Sequence, residues 1–168
     1  MAFVARSGST PGASVICSGR ADVSFSCCTF QQCGVVVNGG SAVTMRSCNV
    51  SNAHVALVVC DASSSATVTS SLVTRCGEGI VCERSGSVVA ESSVVQQCAL
   101  NGVHVGTQGS IALTRSRLED IGGFGCWAYG RGTSAVLSSC AVGKCARGAL
   151  WVGNEASAFM NGDWGTEA

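Results

Sequence analysis

Proline is almost missing from this chain: Pro11 is the only one in 168 residues, alongside a single tyrosine, three tryptophans and five phenylalanines. Charge is also scarce at 12 %, with ten Lys and Arg against ten Asp and Glu and a formal net charge of zero. Such balance removes the electrostatic drive toward nucleic acid or an anionic membrane. An apolar content of 46 % in turn argues against disorder. No apolar run approaches the ~18 residues of a membrane span. The opening "MAFVARSGSTPGASVICSGR" lacks the uninterrupted apolar core of a secretory signal, so an intracellular protein is expected. Helix formers in amphipathic spacing are hard to find.

Glycine is plentiful, at 22 residues, and so is cysteine, at 12. With frequent valine and serine, they point to short strands and tight turns. The chain also repeats itself. Under "SVVAESSVVQQCALNGVHVGTQG" from Ser87 align "DVSFSCCTFQQCGVVVNGG" from Asp22, "AVTMRSCNVSNAHVALVVCDASS" from Ala42 and "SATVTSSLVTRCGEGIVCERSG" from Ser65. "SIALTRSRLEDIGGFGCWAYGRG" from Ser110 and "SAVLSSCAVGKCARGALWVGNEA" from Ser134 continue the series. Cys33, Ala53, Cys76, Cys98, Ile121 and Cys145 fall in one column, with gaps of 20, 23, 22, 23 and 24 residues. Within a copy, Val88 and Ala90, then Ser93 and Val95, then Val103 and Val105 alternate with their neighbours, which predicts three strands with one buried face each.

Three strands and no helix in 22 to 24 residues predict a right-handed, single-stranded parallel β-helix of about six to seven coils, an all-β solenoid. Residues 1–20 are expected to form an N-terminal cap or partial coil, and residues 21–168 the repeat domain. Units such as "SSVVQQCALNGVHV" and "SRLEDIGGFGCWAY" resemble the β-helix repeats of the pectin-lyase-like superfamily. That resemblance implies the fold over nearly the whole chain from about Asp22. For function it implies a range, from polysaccharide lyases and hydrolases to non-catalytic scaffolds.

Most cysteines fall on inward positions: Cys28, Cys48 and Cys140 in the second-strand column, Cys33, Cys76, Cys98 and Cys145 in the next, Cys60 and Cys82 in the third-strand column. A thiol is a small hydrophobe suited to a narrow core, so reduced, packed cysteines are expected. Disulfides between coils are the alternative. The Cys-x2-Cys pairs of zinc sites are missing, and His54 and His104 are the only histidines, so neither metal nor cofactor is expected.

Catalytic candidates are weak. They are Glu119 with Asp120, near Arg115 and Arg117, and Asp61 with Glu83 on adjacent coils. Carboxylate pairs can serve as general acid and base, but a solvated turn or an ion pair is the simpler reading. The more informative pattern lies in the third strand. If Val103 and Val105 point inward, the outward column reads Val36, Val59, Val81, His104, Trp127 and Trp151, with Tyr129 beside it. A continuous apolar stripe ending in two tryptophans marks an interaction surface. The expected function is therefore a non-catalytic structural or interaction module binding a protein partner, with end-to-end association as a further option. The rival is a carbohydrate-binding or carbohydrate-degrading protein. Trp164 is expected to close the core at the C-terminal end.

Overall fold

The computed structural model describes residues 2–4 and 14–164. Every strand pairing is parallel, and the strands stack as seven coils of a β-helix with three faces. The first face holds β3 (Asp22–Ser26), β6 (Ala42–Arg46), β9 (Ser65–Thr69), β12 (Ser87–Glu91) and β15 (Ser110–Thr114). The second holds β1 (Ala2–Val4), β4 (Thr29–Gln31), β7 (Asn49–Ser51), β10 (Leu72–Thr74), β13 (Val94–Gln96) and β16 (Arg117–Ile121). The long β18 (Ser134–Cys145) turns the corner without a break and joins the two into a 13-stranded sheet, with β20 (Ser157–Trp164) laid over it. The third face is a separate seven-stranded sheet of β2 (Ser14–Cys17), β5 (Gly34–Val37), β8 (Val55–Cys60), β11 (Glu78–Glu83), β14 (Val103–Gly106), β17 (Phe124–Tyr129) and β19 (Gly148–Gly153). β1 and β2 lie in register on β4 and β5, so the described residues of the N-terminal twenty form part of a coil.

Alternation sets the inside. Val88, Ala90, Ser93, Val95, Val103 and Val105 are all buried, and each stacks on its counterparts one coil away. Because each coil touches only its neighbours, the core is one continuous column of short apolar side chains rather than a set of local clusters.

Polar groups at the corners are satisfied by side chains of the same repeat. Cys28, Cys48, Ser71, Ser93, Ser116 and Cys140 form one buried column just after the first corner. The Ser71, Ser93 and Ser116 hydroxyls each donate to the carbonyl two residues back, at 2.9, 3.0 and 3.0 Å. They also accept the amide of the preceding coil: Cys48 N to Ser71 Oγ at 3.0 Å, Ser71 N to Ser93 Oγ at 3.2 Å, and Ser93 N to Ser116 Oγ at 3.2 Å. The cysteines copy half of this, each thiol reaching the same carbonyl at 3.4 Å. A buried amide left unpaired costs about 1–3 kcal/mol, so the ladder follows from the sharp bend. The bend itself is a single left-handed residue per coil, Ser47, Ser70, Ser92, Arg115 and Ser139 among them.

Small residues are compulsory at the entry to the third face. Gly34, Ala56, Gly79, Gly102, Gly125 and Ala149 occupy one position there, and the reason at the glycines is crowding. A Cβ on Gly79 would lie 2.2 Å from the Gly102 carbonyl oxygen, and one on Gly125 2.6 Å from Val142 Cγ1.

Coil lengths are not uniform, and the variation is localised. From Ala21 to Cys33, Ser41 to Ala53, Ser64 to Cys76, Gly86 to Cys98, Gly109 to Ile121 and Thr133 to Cys145, six coils keep a constant step of 12 residues, whereas β20 in the last described coil shifts register by one against β18 between Leu137 and Cys140. The differences fall at the two corners flanking the third face. Cys33 adjoins Gly34 directly, whereas two residues separate Ala53 from Ala56 and three separate Cys98 from Gly102. The third-strand column therefore needs correcting by one residue. Val58, not Val59, stands between Val36 and Val81, while Val59 pairs with Cys82 and is fully buried. Cys60 pairs with Glu83 and is only partly buried, so it does not share the inward column of Cys82. Alignment by cysteine identity put the spacing at 22 residues, whereas burial of Leu57 and Val59 sets it at 23.

Nine of the twelve cysteines are buried, Cys60 and Cys145 are partly so, and Cys27 is exposed. Trp164 stands over Val142 in the inward register of the last described coil, yet remains half exposed. Among the described residues no helix is long and apolar enough to cross a membrane.

Candidate functional site

The outer face of the seven-stranded sheet carries one ladder from end to end: Ile16, Val36, Val58, Val81, His104, Trp127 and Trp151. It begins one coil earlier than the repeat alone implied, at Ile16, which is 65 % exposed. It is not uniformly open. Val81 is buried, Val36 and Val58 are half-buried, and the accessible aromatic end is Trp151, at 37 %.

The aromatic end is a packed cluster. Trp127 stacks on Tyr129 with ring centroids 5.0 Å apart and planes 28° from parallel. His104 lies 4.7 Å from Trp127 and 5.6 Å from Tyr129, Trp151 lies 5.7 Å from Trp127, and Phe124 flanks Trp151 at 6.5 Å. Two glycines allow the rings to lie close against the sheet. A Cβ on Gly106 would come within 2.7 Å of Tyr129 Cε1, and one on Gly153 within 2.4 Å of Trp151 Cη2. The glycines are seats for the rings.

Two carboxylates border this cluster. His104 Nδ1 is 3.3 Å from Glu78 Oε1 and its Nε2 is 3.7 Å from Glu83 Oε1, ion-pair distances reached without hydrogen-bond geometry at either nitrogen. The His104 side chain is only 12 % exposed, which corrects its expected place on the solvent surface. Glu78 is held in place by Asn101, whose Nδ2 donates to Oε1 at 3.3 Å while its own Oδ1 accepts the Phe124 amide at 3.1 Å. The His104 contact holds the Glu78 carboxyl below its ordinary pKa despite the opposing effect of burial. That stabilisation is present above the ordinary carboxylate value and is lost as pH falls through the lowered one.

The other candidates are not brought together. Asp61 lies just beyond β8 and accepts the Gly39 amide at 3.4 Å, whereas Glu83 ends β11 and turns to His104. Glu119 sits on the second face between Arg117 at 3.4 Å and Lys144 at 3.6 Å. Asp120, next along, is an exposed left-handed corner residue, and Arg115 pairs with Glu91. His54 is exposed at the corner before β8. Among the described residues, no group of three or more His, Cys, Asp or Glu could hold a metal ion.

Sequence reasoning found His104, Trp127, Tyr129, Trp151 and Glu83, but not Ile16, Val58, Glu78, Asn101 or Phe124. Glu78, Asn101 and Phe124 all belong to the variable corner before the third face, the part of each copy that an alignment reads as slack.

The family described as right handed beta helix region matches residues 13–162. No curated protein and no solved structure matches the chain.

Proposed function

The chain belongs to the right-handed β-helix family, and from that premise we propose that it is a non-catalytic interaction module, a subunit or scaffold that holds a protein partner against the outer face of its seven-stranded sheet. The observation that carries this reading is the aromatic cluster of Trp127, Tyr129 and Trp151, seated on Gly106 and Gly153 at the end of an apolar ladder. Aromatic side chains held rigid in this way offer large contact area at little entropic cost, which suits an interface anchor. A non-catalytic role is supported by the engagement of the expected acid–base candidates elsewhere: Glu119 with Arg117 and Lys144, Asp61 with the Gly39 amide and Glu83 with His104.

The same rings favour one other reading. Close-lying Trp and Tyr could stack on sugar rings, making the face a carbohydrate-binding surface. Replacing Trp127 and Trp151 together by alanine separates the two. Loss of a specific co-isolated protein supports the partner interface, and loss of glycan binding supports the alternative. Retention of both by a folded double variant would remove the face from consideration.

A further inference from the structure

We infer that the partner presents a cationic side chain, arginine or lysine, to the aromatic end of this face; the inference rests on the interaction reading above and specifies its chemistry. The first support is the distribution of charge. The seven strands of the sheet contain no Lys, Arg or Asp, and their carboxylates are Glu78 and Glu83, both beside the aromatic cluster. Nearby cations such as Arg84, Arg131 and Arg147 lie in the turns. An incoming segment therefore meets apolar surface along Ile16, Val36 and Val58, then negative charge at the aromatic end.

The second support is the site's own occupant. His104 is wedged between two carboxylates and against the rings of Trp127 and Tyr129, and this is the environment a cation seeks: negative groups at its edges and the electron-rich faces of aromatic rings. Glu83 is the more accessible of the two acids, at 30 % against 19 % for Glu78. An arginine lying across Trp127 and Tyr129 would reach Glu83 with its guanidinium while its stem covers the rings. Arginine fits better than lysine because its planar head can stack.

The test uses the full chain and three amidated pentapeptides in which valine alternates with arginine, glutamine or glutamate, followed by tryptophan fluorescence and titration calorimetry. The arginine peptide should bind about tenfold more tightly than the glutamine peptide, which corresponds to about 1.4 kcal/mol. That preference should shrink as salt rises from about 50 to about 300 mM. Glu83→Gln should remove most of the preference. Trp127→Ala should weaken the arginine peptide about tenfold while Trp127→Phe keeps much of the affinity, with far-UV circular dichroism confirming the fold of each variant. Equal binding of the arginine and glutamine peptides, an unchanged preference in Glu83→Gln, or no binding by any peptide overturns the inference. Equal binding leaves the interaction face standing, whereas failure of the face itself is read separately, from a partner retained by the double tryptophan variant.

Discussion

Removing one hydroxyl from the first-corner ladder tests whether the repeat is held by polar registry as well as by apolar stacking. In Ser93→Ala, the bond from Ser93 Oγ to the Glu91 carbonyl is lost, and the buried Ser71 amide loses its acceptor at 3.2 Å. The first loss is worth about 1 kcal/mol and the orphaned amide about 1–3 kcal/mol, giving roughly 2–4 kcal/mol. For a domain of this size that is a fall in Tm of roughly 4–16 °C. Ser93→Cys is the decisive companion, because Cys28, Cys48 and Cys140 occupy the same column and donate to the same carbonyl. Sulfur keeps the donor but is a weak acceptor, so the cost should be about half that of alanine. Ser87→Ala, on the exposed side of β12, should stay within about 0.5 kcal/mol. Urea unfolding followed by far-UV circular dichroism gives all three values. A cost below about 0.5 kcal/mol for Ser93→Ala, or no difference between alanine and cysteine, would refute the ladder as a source of stability.

Glycine crowding predicts a contrast. Gly79→Ala places its Cβ 2.2 Å from a backbone oxygen and should cost about 1–3 kcal/mol, whereas Gly143→Ala meets no atom within 4 Å and should be nearly neutral. Similar unfolding free energies for the two variants would show that the small-residue column has another cause. The buried thiols predict alkaline sensitivity. Burial pushes Cys82 up to about 11 and both Cys98 and Cys126 up to about 12. Their stabilising contribution is whole below about pH 9, the unfolded value, and is lost as pH rises toward those folded values, by up to about 1.4 kcal/mol per unit for each thiol. The urea midpoint should fall between about pH 9 and 11, and at pH 8 a thiol reagent should modify exposed Cys27 well before the core cysteines. A flat profile, or simultaneous modification of all the thiols in folded protein, would contradict this.

The fold was legible because its signal is redundant. Period-two alternation recurs in every copy, and glycine at the third-face entry and the cysteine column each recur in four of six, so one irregular coil cannot hide them. The slip at Val59 shows what the repeat lacks. Residue identity matched Cys60 to Cys82, but the backbone obeys burial: Val59 takes the inward place beside Cys82, the outward position is Val58, and the extra residue of that coil lies after the strand. The candidate face was half legible for the same reason. Trp127 and Trp151 lie at fixed register and could be lined up on paper. Glu78 and Asn101 lie in a corner of variable length, and only the folded chain brings Glu78 to His104 and Asn101 to Glu78.

The unequal corners separate shape from surface. Because the 12-residue frame from Ala21 to Cys33 recurs in six successive coils, the residues added before the third face leave the strands of those coils in register. New side chains can thus be introduced beside the aromatic end without disturbing the stack that carries stability. The frame fixes the shape, and the corner is where the coils differ in length.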